Sequence, residues 1–129
     1  MTNKLNSIVV LTLLMGVFYV NYKSFISSPI QAALLNDWNN QSYRLPIDLI
    51  ENTDLSFPNI TPTTIPLKLL KGRYYKNIDS IDLALDYYHQ SLKINPYLKI
   101  VESQLSLLYF DIEEYDSAHY YGKDAFLFY

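Results

Sequence analysis

At 129 residues, half of them hydrophobic and 18% charged, the chain has room for one small folded domain and is too apolar for wholesale disorder. Ten Lys and Arg against thirteen Asp and Glu leave a net charge of −3, which excludes a polybasic nucleic-acid footprint. The lack of cysteine and the scarcity of glycine exclude disulfide scaffolds, thiol nucleophiles, Cys-ligated metals and glycine-rich phosphate loops.

Between Lys4 and Lys23 the chain carries no charge, and its centre is the apolar run Ile8 to Val20. Rising about 1.5 Å per residue, such a helix covers roughly 27 Å, close to the hydrocarbon thickness of a bilayer. Tyr19 and Tyr22 lie where aromatic rings favour headgroups, and the two lysines can snorkel outward. No small-x-small cleavage site follows in Asn21 to Phe25, so residues 1–23 are expected to form an uncleaved membrane anchor spanning through residues 5–22. The N-terminal amine and Lys4, set against Lys23 and the distant Arg44, give only a weak expectation of an N-terminus inside and a remainder on the extracytoplasmic side.

Residues 24–64 read as a short helix and a Pro-rich connector. Ser28 as N-cap and Pro29 as first helical residue predict a separate helix to about Trp38, ending at Asn39 to Ser42. Four of the six prolines, Pro46, Pro58, Pro62 and Pro66, then forbid a long regular element, although a turn or two of helix is expected after Pro46. Phe57, Ile60 and Ile65 among these prolines predict an extended, packed segment rather than a solvated linker.

The second half repeats with a period of 34. Pro62 aligns with Pro96, Tyr75 with Tyr109, Asp82 with Asp116, Ala84 with Ala118, and Tyr87 with Tyr121. Apolar residues recur at helical spacing in four stretches, with Asp79 or Ser80 predicted to cap the second helix and Asn95-Pro96 to open the third. The expected fold is all-α: an N-terminal membrane helix followed by antiparallel hairpins over residues 65–129, in units 65–98 and 99–129.

These residues resemble the tetratricopeptide repeat (TPR) family. Its small residue and following aromatic match Gly72 and Tyr75, then Ser106 and Tyr109. Its paired small positions match Ala84 and Ser91, then Ala118 and Ala125, with Pro96 as the closing proline and Tyr115 as the aromatic before the last helix. Gly122 departs from the pattern by standing where an aromatic is usual, which is expected to loosen the last helix. Small residues at such positions let helix axes approach closely. The resemblance implies a short TPR-like α-solenoid whose concave face comes from the first helix of each unit, pointing to Leu69, Arg73, Lys76 and Asn77, then Ser103, Leu107, Phe110 and Asp111 as partner-binding residues.

Two units bury little core alone, so the connector and the Ser28–Trp38 helix are expected to cover one end. The other end stops at Ala125-Phe126-Leu127-Phe128-Tyr129, which implies that the protein continues or that this apolar end meets a partner. His89 and His119 lack ligand-spaced companions, and Asp111, Glu113, Glu114 and Asp116 lack the glycine and spacing of a calcium loop, so no metal or cofactor is expected. Lys68, Lys71, Arg73 and Lys76 make a basic first helix that either attracts acidic partners or headgroups or pairs with the acidic cluster. No catalytic constellation is present. The expected function is a non-catalytic, membrane-anchored interaction module for a protein or peptide, with no nucleic-acid or small-molecule ligand. The alternative is the C-terminal tail of a bacterial O-antigen ligase-type membrane protein, which the layout loosely resembles.

Overall fold

The computed structural model describes residues 2–127, with side chains from Asn6 onward; Phe128, Tyr129 and the side chain of Lys4 lie outside the described residues. Within them the chain forms six helices and no strands beyond one isolated bridge between Ile60 and Pro66: α1 (Thr2–Asn40), α2 (Ile47–Asn52), α3 (Leu67–Asn77), α4 (Ile81–Ile94), α5 (Ile100–Asp111) and α6 (Tyr115–Phe126).

The first helix corrects the expectation of a break at Ser28-Pro29, because α1 runs uninterrupted through Pro29. Proline deprives the Phe25 carbonyl of its donor, but both residues lie on the exposed side, where water can serve that group. The opposite side of the same stretch is held down, since Gln31, Leu34 and Asp37 are buried one turn apart. Docking that face outweighs the lost bond. Residues 8–26 are different: every large apolar side chain is exposed, and the helix is apolar all round rather than on one stripe. It is the one helix among the described residues long and apolar enough to cross a membrane.

The two hairpins are built alike. At the end of α3, Asp79 takes a positive φ of 60°, Asp79 N–H bonds to Lys76 C=O at 3.1 Å, and Ser80 N–H bonds to Tyr75 C=O at 2.9 Å. At the end of α5, Glu113 takes φ 65°, Glu113 N–H bonds to Phe110 C=O at 3.1 Å, and Glu114 N–H bonds to Tyr109 C=O at 2.9 Å. Both are Schellman terminations, with an acidic residue where glycine is usual. Each motif then supplies a carbonyl that opens the next helix: Ser80 to Ala84 N–H, and Glu114 to Ala118 N–H, both at 3.0 Å. Ser80 is thus the N-cap of α4, through its backbone and not its side chain. The expected start of α5 at Pro96 is also corrected. Asn95 instead turns the chain, its side chain accepting from Tyr97 N–H and donating to Thr64 C=O at 3.0 Å, and the helix begins at Ile100.

Tyr75 stacks on Tyr87 at 5.3 Å and 2°, and Tyr109 stacks on Tyr121 at 5.6 Å and 1°, so the 34-residue period is a repeat of contacts as well as of letters. Ala84 and Ser91 are fully buried, and Ala118 and Ala125 nearly so. One core joins Leu69, Tyr75, Ala84 and Tyr88 of the first hairpin to Val101, Leu105 and Leu108 of α5. A second core joins Leu67, Leu70 and Tyr74 of α3 to Leu34 of α1, Ile50 of α2 and Leu55. The end of α1 and the connector therefore cover the open side of the first hairpin. Ile65 takes part in this packing, whereas Phe57 and Ile60 are exposed, contrary to expectation, because the second core is filled from α1, α2 and Leu55 instead.

Candidate partner-binding surface

Long polar side chains tie the first helices of the two hairpins together. Arg73 Nη1 on α3 donates to Gln104 Oε1 on α5 at 3.1 Å, and one turn on, Lys76 Nζ pairs with Asp111 at 2.6 Å. The residues expected on this face divide into three groups.

Leu69 is fully buried, a correction: it points into the core, because α3 is covered on two sides and its Leu69 stripe faces α4 and α5. Arg73, Lys76 and Asp111 are engaged within the chain. The Arg73 guanidinium lies 4.3 Å from the Trp38 ring and 5.6 Å from that of Tyr43, so it clamps α1 to α3 besides bonding to Gln104. The Lys76–Asp111 pair is a partly exposed surface ion pair that fixes register and contributes about 1 kcal/mol or less. Ser103 is half-buried, while Asn77, Leu107 and Phe110 remain exposed, the last two with 54% and 62% of their surface in solvent.

The basic character of α3 is dispersed. Lys68 donates to Gln90, and the buried Lys71 donates to the Glu51 carbonyl at 3.1 Å beneath the Tyr87 ring. With Lys76 on Asp111, the four cations make separate contacts, one of them with the acidic cluster. Among the described residues no group of acidic or histidine side chains is arranged to hold a metal ion. His89 is enclosed between the hairpins, its Nε2 3.0 Å from Tyr109 Oη and its ring tilted against Tyr121. Burial pushes the Tyr121 hydroxyl's pKa up, and burial together with Tyr87 and Glu51 pushes that of Tyr75 up to about 12, so these tyrosines are neutral packing groups at ordinary pH.

At the far end, Ser106 and Phe110 of α5 and Tyr115, Ala118, His119, Gly122, Lys123 and Phe126 of α6 line an open groove of about 600 Å³. Its floor is small: Ser106 Oγ donates to the Ala118 carbonyl at 2.8 Å, and a Cβ on Gly122 would come within 2.9 Å of that same Oγ. Its walls are aromatic, with Phe110 edge-on to Tyr115 at 5.6 Å and Phe126 81% exposed. Gly122 does not interrupt α6, which continues to Phe126. Its consequence is the open space above it.

A joint that periodicity did not reveal ties these parts to α1. The buried Asp37 carboxylate accepts from Ser42 Oγ at 2.7 Å, from Arg44 N–H at 2.8 Å and from the Tyr74 hydroxyl. The only signals for it in the sequence were an acidic residue inside an apolar helix face and a lone tryptophan beside it. Comparison with known proteins finds no matching family model, no matching curated protein and no matching solved structure.

Proposed function

We propose that this chain is a membrane-anchored, TPR-like interaction module, a non-catalytic adaptor or scaffold that binds a protein or peptide. The observation that carries the reading is a pairing of two surfaces on one chain. The N-terminal helix is apolar on all sides with nothing among the described residues packed against residues 8–20, and its other end docks on two repeated hairpins that present exposed Asn77 on α3 and exposed Leu107 and Phe110 on α5. At 39 residues α1 is about 58 Å long, roughly twice the hydrocarbon thickness, so one part can span while the remainder docks on α3. The exposed side chains of α3 and α5 are the apolar Leu107 and Phe110 and the polar Asn77 and Asp111, a mixture of the kind recognition surfaces use.

The reading has the N-terminus inside and the hairpins on the extracytoplasmic side. A reporter joined after Tyr43 is expected to be active outside, and activity inside would reverse the topology. Crosslinking in native membranes is expected to capture a protein partner from the unmodified chain and to lose it with Leu107→Asp or Asn77→Arg. Undiminished capture by both variants would overturn the assignment of the face.

A further inference from the structure

The second hairpin carries, 34 residues on, the face that the first hairpin buries. In the first, Ile81, Ala84, Leu85 and Tyr88 of α4 are covered by Val101, Leu105 and Leu108 of α5, all three fully buried. The equivalent positions of α6 are Tyr115, Ala118, His119 and Gly122, and among the described residues no helix lies over them. Where the Tyr88 side chain fills the first crossing, Gly122 supplies no side chain and lines the open groove together with Ser106.

We infer that this groove docks one amphipathic helix of another polypeptide, with an apolar stripe spaced like Val101, Leu105 and Leu108 and a bulky aromatic residue at its centre to fill the space over Gly122. The inference rests on the reading of the chain as an interaction module and adds to it a second site and the chemistry of its ligand. The groove continues the α4–α5 interface, in which the occupant is a helix antiparallel to its neighbour. Placed likewise on α6, the incoming helix begins near Lys123 and ends near Glu113 and Asp116. It therefore carries acidic residues in its first turn and basic residues in its last, in agreement with its own dipole. Among the described residues a second copy of this chain offers no free helix of that kind, since its own Val101, Leu105 and Leu108 are buried.

The probes are two fluorescein-labelled peptides, residues 97–112 of this chain with Asp111→Lys to supply the basic last turn, and the same peptide further changed by Leu105→Trp, titrated by fluorescence anisotropy against the full chain in nanodiscs. The Leu105→Trp peptide is expected to bind at least about tenfold more tightly than the peptide that keeps Leu105. Phe126→Asp, at an exposed wall position, is expected to weaken it by a similar factor, and Ser106→Gly/Gly122→Tyr, which rebuilds the Gly72–Tyr88 arrangement, is expected to reverse the preference between the peptides. Absence of saturable binding, or equal binding of both peptides by all forms, would overturn the inference. So would a dimer of the full chain abolished by Phe126→Asp, which would give the groove to a second copy. Leu107→Asp and Asn77→Arg leave the peptide titration unchanged, so failure of the α3–α5 face and failure of this groove are read separately.

Discussion

Gly72 lies so close beneath Tyr88 that a Cβ there would meet ring atoms Cδ1 and Cε1 at 2.7 Å and Tyr87 Cβ at 3.1 Å. Tyr88 is fully buried and has nowhere to retreat. Gly122 faces only the Ser106 hydroxyl, at 2.9 Å, which can rotate away. The same substitution therefore has different outcomes at two glycines that both gain about 1 kcal/mol of helix propensity. Gly72→Ala is expected to destabilise by about 1 to 3 kcal/mol, whereas Gly122→Ala stays within about 0.5 kcal/mol of the parent, because lost Ser106 bonding offsets the propensity gain. Urea unfolding of the full chain in detergent, followed by circular dichroism, measures both. Equal effects would show that the α3–α4 crossing is looser than described.

Glu113 holds a left-handed conformation without being glycine. Glu113→Gly removes the steric penalty between its Cβ and backbone, typically about 1 to 2 kcal/mol, against the larger entropy of glycine in the unfolded chain. A net stabilisation of about 0.5 to 1 kcal/mol is expected in the same unfolding assay. A loss would mean that the Glu113 side chain makes a contact worth more than the strain.

Among the described residues the buried Tyr88 hydroxyl has no hydrogen-bond partner, and desolvation raises its pKa. Tyr88→Phe removes an unsatisfied polar group and little volume, so it is expected to leave stability unchanged or to raise it by about 1 kcal/mol. A loss of more than about 1 kcal/mol would reveal a partner for the hydroxyl in solution.

Arg73 stacks on the single tryptophan, which makes the joint between α1 and the hairpins visible by fluorescence. Arg73→Ala is expected to shift Trp38 emission to the red and to lower stability by about 1 to 2 kcal/mol. Arg73→Lys restores only part of this, since an ammonium cannot reproduce both the flat stacking and the fixed bond to Gln104. An unshifted spectrum in both variants would disprove the clamp.

The Asp54 carboxyl is held down to about 2 from its ordinary 3.8 by bonds from the Ser56 hydroxyl and amide first, and by Lys23 at 3.2 Å second. Its folded pKa lies below its unfolded one, so its contribution to folding is complete above the ordinary carboxylate range and disappears as pH falls through about 2. Carboxyl carbon NMR is expected to report a midpoint near 2, raised more by Ser56→Ala than by Lys23→Met. The opposite order would make the ion pair the dominant cause.

Helix content, the apolar N-terminal stretch and the 34-residue period were legible from residue order, because helical spacing and turn chemistry act over a few positions and the small and aromatic residues mark each crossing. Gly72, Ala84 and Ala118 show this, all lying at close helix contacts. Continuity through Pro29, the burial of Leu69, the capture of Arg73 by Trp38 and the groove over Gly122 were not legible. Each is set by partners 30 or more residues away or on another helix, and a local pattern has no access to the packing that outweighs a proline's lost bond or turns an expected surface arginine into a clamp.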